Sequence, residues 1–164
     1  MKPISVDAPF QQWGLDFIGE INPTSSGQYR WILTATDYFT KWVEAVPTRQ
    51  ATDVVIIEFL LTNIMSRFGC PRKIVTDNAK AFTSSKLIKL CSDYNIILSH
   101  STASYPQGNG LAETSNKSFI RIIKKLLEEN KKAWNAKLKF DLWENRVSTK
   151  EIRRYFSFSA FLWY

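Results

Sequence analysis

The amino-acid sequence predicts an α/β fold in which a mixed five-stranded sheet is flanked by helices. Three β-prone segments come first along the chain and are joined by short polar links, which favours an antiparallel meander. Two more β-prone segments follow, each preceded by a helical segment, which favours parallel strands reached by right-handed crossovers. A length of 164 residues with 45% hydrophobic side chains is sufficient for one domain with its own core.

The three strands of the meander are rich in β-branched and aromatic residues. They are predicted over QQWGLDFIGEI (11–21), YRWILTATDYF (29–39) and WVEAVPT (42–48), and the turn-forming segment NPTSSGQ joins the first two. The middle of the first strand carries Asp16, an acidic residue in an otherwise β-prone run.

The rest of the chain alternates helices with strands. DVVIIEFLLTNIMSRFG (53–69) predicts a mostly buried helix that Thr52 or Asp53 caps and Gly69 ends. RKIVTDN (72–78) predicts the fourth strand, with Asp77 at its end, and IILSHST (96–102) the fifth. Helices are predicted between these two strands and after the loop ASYPQGNG, over SSKLIKLCSDYN (84–95), LAETSNKSFIRIIKKLLEEN (111–130) and KAWNAKLKFDLWENRV (132–147).

The composition limits the kind of protein. A formal net charge of +7 is typical of a domain that meets nucleic acid, although surplus surface lysines on any soluble domain would explain it as well. Cys70, Cys91 and a single His make a zinc finger or a disulfide framework unlikely and fit a reducing compartment. The sequence has neither an apolar run of the roughly 18–20 residues that span a membrane nor an apolar N-terminal secretion signal.

Two acidic residues on predicted strands are candidates for a shared site. Sites in open α/β sheets form at strand ends near a switch in strand order. If the first and fourth strands are neighbours, Asp16 and Asp77 can face each other. The alternative for Asp77 is local, because Asp often ends a strand by capping the turn that follows.

The long helix after the loop has one basic and one apolar face. At 100° per residue, Glu113, Lys117, Arg121 and Lys124 fall on one side, and the large apolar residues fall on the other. Glu113 lies in the first turn, where the helix dipole favours any acid, and it is spaced to pair with Lys117. The basic face is therefore either a nucleic-acid contact or an ordinary solvated surface.

Three motifs occur in order along the chain. They are W..D..G at residues 13–19, TDN...F at residues 76–82 and HST..YPQ.NG..E..N at residues 100–116. With these motifs the chain resembles the catalytic core of retroviral-type integrases, most closely those of long-terminal-repeat retrotransposons of the gypsy class, many of them plant elements. The family has 35 residues between its second Asp and its Glu, and here 113 − 77 = 36, which leaves 35 between Asp77 and Glu113.

The resemblance implies an RNase-H-like fold and a catalytic triad of Asp16, Asp77 and Glu113 that binds Mg²⁺ or Mn²⁺, with two ions expected. Three carboxylates close together repel, and divalent cations with a preference for oxygen remove that repulsion. The implied reactions are trimming of a DNA 3′ end by water and joining of that end to target DNA. The implied partners are element ends, target DNA and further copies of the chain as a homodimer or higher oligomer, with no membrane. The implied location is the nucleus, reached by import from the cytoplasm.

Other residues receive supporting roles from the resemblance. Lys117, Arg121 and Lys124 are expected to contact DNA phosphates. The loop before the long helix is expected to be mobile and hinged at glycines. Supporting roles at the site are predicted for Asn78, Asn116, Gln107, Gly108 and Gly110. Asp37 and His100 are interpreted as structural. Trp13, Trp134 and Trp143 are expected in the core, with a second role at a dimer surface.

The chain also departs from the family pattern. Where integrases usually have Gly after the Asp-Asn pair and an acid or amide two positions later, this chain has Ala79 and Ala81. Because Gly permits a positive φ that Ala tolerates poorly, we expect a strained turn at Ala79 and weak or absent activity. Ala103 and Ser104 are also atypical. We expect a tail over residues 1–10, the catalytic core over 11–147 and an atypical C-terminal tail over 148–164.

Two alternatives remain open. The departures and the atypical tail favour a non-catalytic remnant or a domesticated nucleic-acid-binding or interaction module of the same fold. A nuclease or ribonuclease H that uses the same fold and metals is the other alternative. The 35-residue spacing and the motif at residues 100–116 argue against it.

Overall fold

The computed structural model of the chain describes residues 7–101 and 110–148, with side chains over 119–146 in the second range. Its five strands are β1 (Gln12–Ile18), β2 (Trp31–Asp37), β3 (Val43–Thr48), β4 (Lys73–Thr76) and β5 (Ile97–His100). They form one sheet in the order β3-β2-β1-β4-β5. The pairs β1–β2 and β2–β3 are antiparallel, and β1–β4 and β4–β5 are parallel. The mixed sheet predicted from the sequence is confirmed.

The first crossover helix is continuous but changes its winding. It begins as α1 (Asp53–Phe59), passes through a π-helical segment (Leu60–Met65) and ends as α2 (Ser66–Phe68). Gly69 ends the helix as predicted, with a positive φ of 86° that favours glycine. Thr52 stands at the N-cap without a capping side-chain hydrogen bond, and the Val54 amide donates to Asp53 Oδ1 at 2.9 Å.

Three longer helices and one short 3₁₀ turn complete the fold. The 3₁₀ turn (Lys80–Thr83) and α3 (Ser85–Asp93) lie between β4 and β5, and Ser84 caps α3 by accepting from the Leu87 amide. Helices α4 (Gly110–Glu129) and α5 (Trp134–Ser148) follow β5 along the chain. These spans agree with the predicted helices to within two residues at each end.

Two apolar clusters cover the two faces of the sheet. Neighbouring residues of β2, which lies between β1 and β3, point into different clusters, Leu33 into one and Ile32 into the other, and both are fully buried. The first cluster includes Ile56 and Leu60 of the crossover helix. The second includes Phe119, Ile123 and Leu126 of α4 and Trp134, Leu138 and Leu142 of α5. The predicted apolar face of α4 is thus confirmed, and the sheet is enclosed between two helical layers.

Burial decides between the two roles expected for the tryptophans. Trp13 and Trp134 are fully buried, so the expectation that they contribute to a dimer surface is wrong. Both indoles fill the space against the sheet, where neither can contact a second chain. Trp143 is 64% exposed on α5, so the expectation that it lies in the core is wrong, and its side chain is accessible for such a contact.

Asp37 is a structural residue, as interpreted from the sequence. It is fully buried at the end of β2, where its Oδ1 accepts from the Phe10 amide and its Oδ2 from the amide and hydroxyl of Thr40. Burial raises the pKa of this carboxyl, and the hydrogen bonds oppose that shift.

Over the ranges that the structure describes, no helix is both long and apolar enough to cross a membrane.

Candidate active site

The ends of β1 and β4 lie side by side where the meander meets the parallel half of the sheet. The two strands pair in parallel, with Gly14 opposite Val75. Continuing that register by two residues places Asp16 opposite Asp77. The prediction that the first and fourth strands are neighbours is confirmed. The two carboxylates therefore come together at a switch in strand order, where α/β sheets form sites.

Asp16 shows the electrostatic effect of this arrangement. Its pKa is raised from 3.8 to about 6, mainly by desolvation and then by repulsion from the charge of Asp77, while a hydrogen bond from the Phe17 backbone opposes the shift. The side chain remains accessible to solvent, but surrounding protein displaces enough water for desolvation to be the larger cause. Asp16 is thus accessible to solvent, and its negative charge is unfavourable in the folded chain. A bound cation would relieve this unfavourable charge.

Asp77 is held by its own turn and by β5. The Ala79 amide donates to Asp77 Oδ1 at 2.9 Å, and the Thr76 hydroxyl donates to the Asp77 carbonyl oxygen at 2.9 Å. The Ser101 amide donates to the Thr76 carbonyl at 2.7 Å, which ties the end of β4 to the chain after β5. Asp77 therefore caps the turn after its strand, as in the local interpretation, and it also lies close enough to Asp16 for their charges to repel.

The expectation of a strained turn at Ala79 is wrong. Ala79 has φ −60° and ψ 146°, an extended geometry that any residue adopts. The chain passes from it directly into the 3₁₀ turn, so a positive φ is not needed there. Ala81 lies within that turn and packs against the first apolar cluster. Neither alanine distorts the segment that carries Asp77, and the predicted loss of activity has no basis at residue 79.

The third predicted acid is on the expected element. Glu113 belongs to the first turn of α4, which begins at Gly110. Its side chain, those of Asn116 and Lys117, and all of Gln107 and Gly108 lie outside the described residues. Asn78 is exposed beside Asp77.

Two of the three predicted DNA contacts are described, and both are accessible. Arg121 and Lys124 are exposed on α4, opposite the buried face formed by Phe119, Ile123 and Leu126. This is the orientation that the helical periodicity predicted. It leaves their charged groups free to meet a phosphate backbone.

The donors present suit a hard divalent cation. Asp16 and Asp77 offer carboxylate oxygens, the ligands that Mg²⁺ and Mn²⁺ prefer, and their mutual repulsion is what such a cation would neutralise. Among the described side chains, no group of three His, Cys, Asp or Glu residues is arranged to hold a metal ion. The third donor of the predicted triad, Glu113, is not among those side chains.

Two contacts at the site were not predicted from the sequence. The hydroxyl of Thr34, which is buried on β2 opposite Asp16, donates to the Asp16 carbonyl oxygen at 3.2 Å. Nε2 of His100 lies 2.9 Å from the carbonyl oxygen of Phe82. The sequence could have indicated Thr34, since it is a polar residue within a β-prone segment. The His100 contact could not be indicated in this way, because its partner is a backbone atom.

The order and directions of the five strands, with helices on both faces of the sheet, define a domain of the RNase-H-like fold. A family model described as "Integrase core domain" matches residues 6–106, which is more than half of the chain. The chain belongs to the integrase core domain family.

The relatives found by sequence are retroviral polyproteins. The chain is 35% identical over 127 residues to the Gag-Pol polyprotein of avian reticuloendotheliosis virus and 36% identical over 135 residues to the Pol polyprotein of feline endogenous virus ECE1. These matches cover 77% and 82% of the chain. They cover only 11% and 13% of the two polyproteins, so the chain spans about a tenth of their length.

Two solved structures share the fold. One is the intasome of simian T-cell lymphotropic virus in complex with PP2A regulatory subunit B56 gamma, with a TM-score of 0.67 and 24% identity over 82% of this chain and 48% of that one. The other is the HTLV-2 integrase catalytic core domain in complex with magnesium, in a dimeric form, with a TM-score of 0.63 and 24% identity over 82% of this chain and 85% of that one. At this identity the likeness concerns the fold.

Proposed function

We propose that this chain is the catalytic core of an integrase that trims DNA 3′ ends and joins them to target DNA with divalent metal ions. One observation carries the proposal. In a chain of the integrase core domain family, the parallel pairing of β1 with β4 brings Asp16 of β1 beside Asp77, which directly follows β4, and their charges repel. Glu113, in the first turn of α4, is the third acid of the proposed triad.

The proposed roles follow from the chemistry of the residues. Asp16, Asp77 and Glu113 would hold the metal, which we expect to be two Mg²⁺ or Mn²⁺ ions. When bound, such ions activate an oxygen nucleophile and neutralise charge on the attacked phosphate. Because the folded chain raises the pKa of Asp16, this carboxyl exchanges a proton near pH 6 when no cation is present. Metal binding is therefore expected to release a proton from part of the population at that pH.

Both proposed reactions are substitutions at phosphorus. In trimming, a water oxygen forms a bond to phosphorus, the bond to the leaving 3′ oxygen breaks, and that oxygen takes up a proton. In joining, the trimmed 3′ hydroxyl attacks a target phosphodiester and the target's own 3′ oxygen leaves. One phosphodiester bond replaces another, so joining needs no external energy source.

The proposed partners are element ends and target DNA. The net charge of +7 and the exposed cations Arg121 and Lys124 support DNA binding along α4, and Lys117 belongs to the same proposed contact. We also propose a homodimer or higher oligomer, with Trp143 as a candidate contact. The dimeric, magnesium-bound HTLV-2 core and the simian virus intasome support this assembly and the choice of metal by analogy of fold.

Origin, boundaries and location complete the proposal. The motifs that resemble gypsy-class, plant-like retrotransposons support an origin in such an element, although the named relatives are retroviral polyproteins. Residues 11–147 are proposed as the catalytic core, with tails before and after it. The nucleus is the proposed place of action, because target DNA is there.

Strand transfer by the purified chain tests the proposal. The assay uses a pre-trimmed DNA end, a labelled target and Mn²⁺, with Asp16→Asn, Asp77→Asn and Glu113→Gln beside the wild type. We expect joined products from the wild type and a loss of at least about a hundredfold in each variant, because each removes a metal ligand. Glu58→Gln is the matched control, since Glu58 is an exposed acid on α1, and it should retain full activity.

The same assay decides on the non-catalytic alternative. A wild type that binds DNA but forms no joined product, at any Mn²⁺ concentration, would favour a remnant or a binding module. The ordinary backbone geometry of Ala79 removes one of the two sequence features that favoured this alternative. The other feature, the atypical tail after residue 148, lies outside the described residues.

A further inference from the structure

Three hydrogen bonds link His100 to Asp77. Nε2 of His100 lies 2.9 Å from the Phe82 carbonyl oxygen. The Phe82 amide donates to the Ala79 carbonyl at 2.9 Å, and the Ala79 amide donates to Asp77 Oδ1 at 2.9 Å. The chain of bonds therefore ends on a carboxylate oxygen of the proposed metal site.

The protonation of His100 follows from its partner. A carbonyl oxygen only accepts hydrogen bonds, so Nε2 of His100 carries the proton and donates it. His100 is partly buried and stands opposite Thr76 in the pairing of β4 with β5. Thr76 immediately precedes Asp77, so His100 spans from the strand that leads to Asp77 to the 3₁₀ turn that follows it.

Phe82 connects the same turn to the other acid. Its ring is fully buried, and its centroid lies 5.6 Å from that of Phe17, the residue after Asp16. The turn is thus fixed on one side by the His100 hydrogen bond and on the other by packing against β1. A side chain that holds the backbone at Phe82 therefore constrains the turn that follows Asp77.

We infer that His100 is a positioning residue for Asp77. By holding the Phe82 carbonyl it keeps the 3₁₀ turn closed, and the closed turn aims the Ala79 amide at Oδ1. That hydrogen bond orients the carboxylate before any cation arrives. A preset ligand binds metal more tightly than one that must be ordered, and partners that orient metal ligands typically contribute about 10–100-fold in affinity. The effect on metal affinity rests on the proposed function, whereas the orientation of Asp77 does not.

Three substitutions at His100 separate positioning from simple folding support. His100→Gln keeps an N–H at similar reach, His100→Asn keeps the amide on a shorter side chain, and His100→Ala removes the donor. Thr40→Ala is the matched control, because it also removes a buried side-chain hydrogen bond, to Asp37. Thr40 lies away from the site. Its partner Asp37 stands opposite Trp13, near the beginning of β1, whereas Asp16 lies further along that strand, opposite Thr34.

Two measurements are made on each protein without DNA. The first is solvent exchange of the Ala79 amide by NMR, with Asp77→Ala, which removes the accepting oxygen, as the reference for a lost contact. The second is Mn²⁺ affinity by titration calorimetry. We expect His100→Ala and His100→Asn to speed Ala79 exchange and to weaken Mn²⁺ binding by about tenfold. His100→Gln should restore both, and Thr40→Ala should lower the melting temperature without changing either.

The outcomes distinguish the inference from the proposal beneath it. If Ala79 exchange in His100→Ala and His100→Asn equals that of the wild type or of Thr40→Ala, His100 does not position Asp77. If His100→Ala does not fold, Ala79 exchange in His100→Asn is compared with that in His100→Gln, and equal exchange in these two variants would also mean that His100 does not position Asp77. If the wild type binds no Mn²⁺, or Asp77→Asn binds it equally well, the proposed metal site fails, while the exchange comparison still decides the role of His100.

Discussion

At the scale of single residues, Asp16 carries an unfavourable charge that should be visible in the pH dependence of stability. The folded chain holds this proton with a pKa of about 6, against 3.8 for the ordinary carboxyl. Between these values the folded state binds more protons than the unfolded state, so the free energy of unfolding contributed by Asp16 should fall as pH rises from about 4 to about 6.

Asp16→Asn should remove this fall. Because Asp16 is accessible and solvent screens its charge, we expect the variant to be more stable by about 1 kcal/mol or less at pH 7 without divalent cations, or about 2–4 °C at most. Asp37, whose pKa burial also raises, contributes a slope of the same sign to both proteins and cancels in the difference. Thermal unfolding at several pH values measures the difference in stability between Asp16→Asn and the wild type. Equal pH profiles for Asp16→Asn and the wild type would mean that the folded chain does not raise the pKa of Asp16.

Ala79 gives a prediction opposite to the one that its sequence context suggests. Since φ at residue 79 is −60°, glycine gains nothing in the folded state and increases the entropy of the unfolded chain. We expect Ala79→Gly to lower the free energy of unfolding by about 0.4–1 kcal/mol, measured by urea unfolding. A gain in stability would instead indicate that the turn prefers a positive φ.

At the scale of elements, one buried acid joins three parts of the fold. Glu44 on β3 has a buried side chain that pairs with Arg67 of α2 at 2.7 Å and with Arg146 of α5 at 3.1 Å. It also accepts from Trp42 Nε1 at 2.6 Å, and the Arg146 guanidinium lies 4.0 Å from the centroid of the Trp42 ring. Burial lowers the pKa of Arg146, and Glu44 opposes this shift. Glu44 therefore docks α5 onto the edge strand.

Glu44→Ala should leave the mostly buried Arg146 without its counter-charge. Removing one partner of a buried ion pair costs about 3–5 kcal/mol, and we expect the lower end because Arg67 is partly exposed. The control is Glu20→Ala, which breaks the exposed pair with Arg30 and should change stability by about 0–1 kcal/mol. Urea unfolding compares the two, and equal losses would mean that Glu44 does not hold α5.

The basic face of α4 should bind DNA through phosphates. Arg121→Ala with Lys124→Ala should weaken binding to unrelated DNA sequences alike and reduce the slope of log affinity against log salt by about two. Lys137→Ala with Lys139→Ala removes the same charge from exposed positions on α5 and serves as control. Fluorescence anisotropy over a range of salt concentrations measures both. A loss confined to one DNA sequence would point to base recognition, and equal losses in the two double variants to a diffuse effect of net charge.

At the scale of the whole molecule, patterns that repeat along the chain predicted the fold well. The short links of the meander and the crossover helices before β4 and β5 predicted the mixed sheet. The meeting of Asp16 and Asp77 was predicted on the condition that β1 and β4 are neighbours, and the structure meets that condition. The mixed sheet depends on local periodicity and on the handedness of connections, which the sequence carries directly.

What the sequence did not predict depends on contacts between distant residues or on backbone angles. Glu44 and Arg146 are separated by 102 positions, and no pattern links them. The sequence predicted one helix over residues 53–69, and no pattern in it indicated the π-helical segment. The φ of Ala79 depends on the 3₁₀ turn that follows, so the strained turn predicted from the residue type alone was wrong. The exposure of Trp143, which was expected in the core, depends on which faces of α5 are covered, and that is decided only when the helices pack.

The measurement that tests the shared metal site most directly is thermal unfolding of the wild type, Asp16→Asn, Asp77→Asn and Glu58→Gln with increasing Mn²⁺. A cation that binds only the folded state at tenfold its dissociation constant stabilises it by about 1.4 kcal/mol, or roughly 3–6 °C here. We expect that rise in the wild type and in Glu58→Gln, and little or none in either Asp variant. A Mn²⁺-dependent rise of the same size in Asp16→Asn and Asp77→Asn would place the cation elsewhere and contradict the shared site.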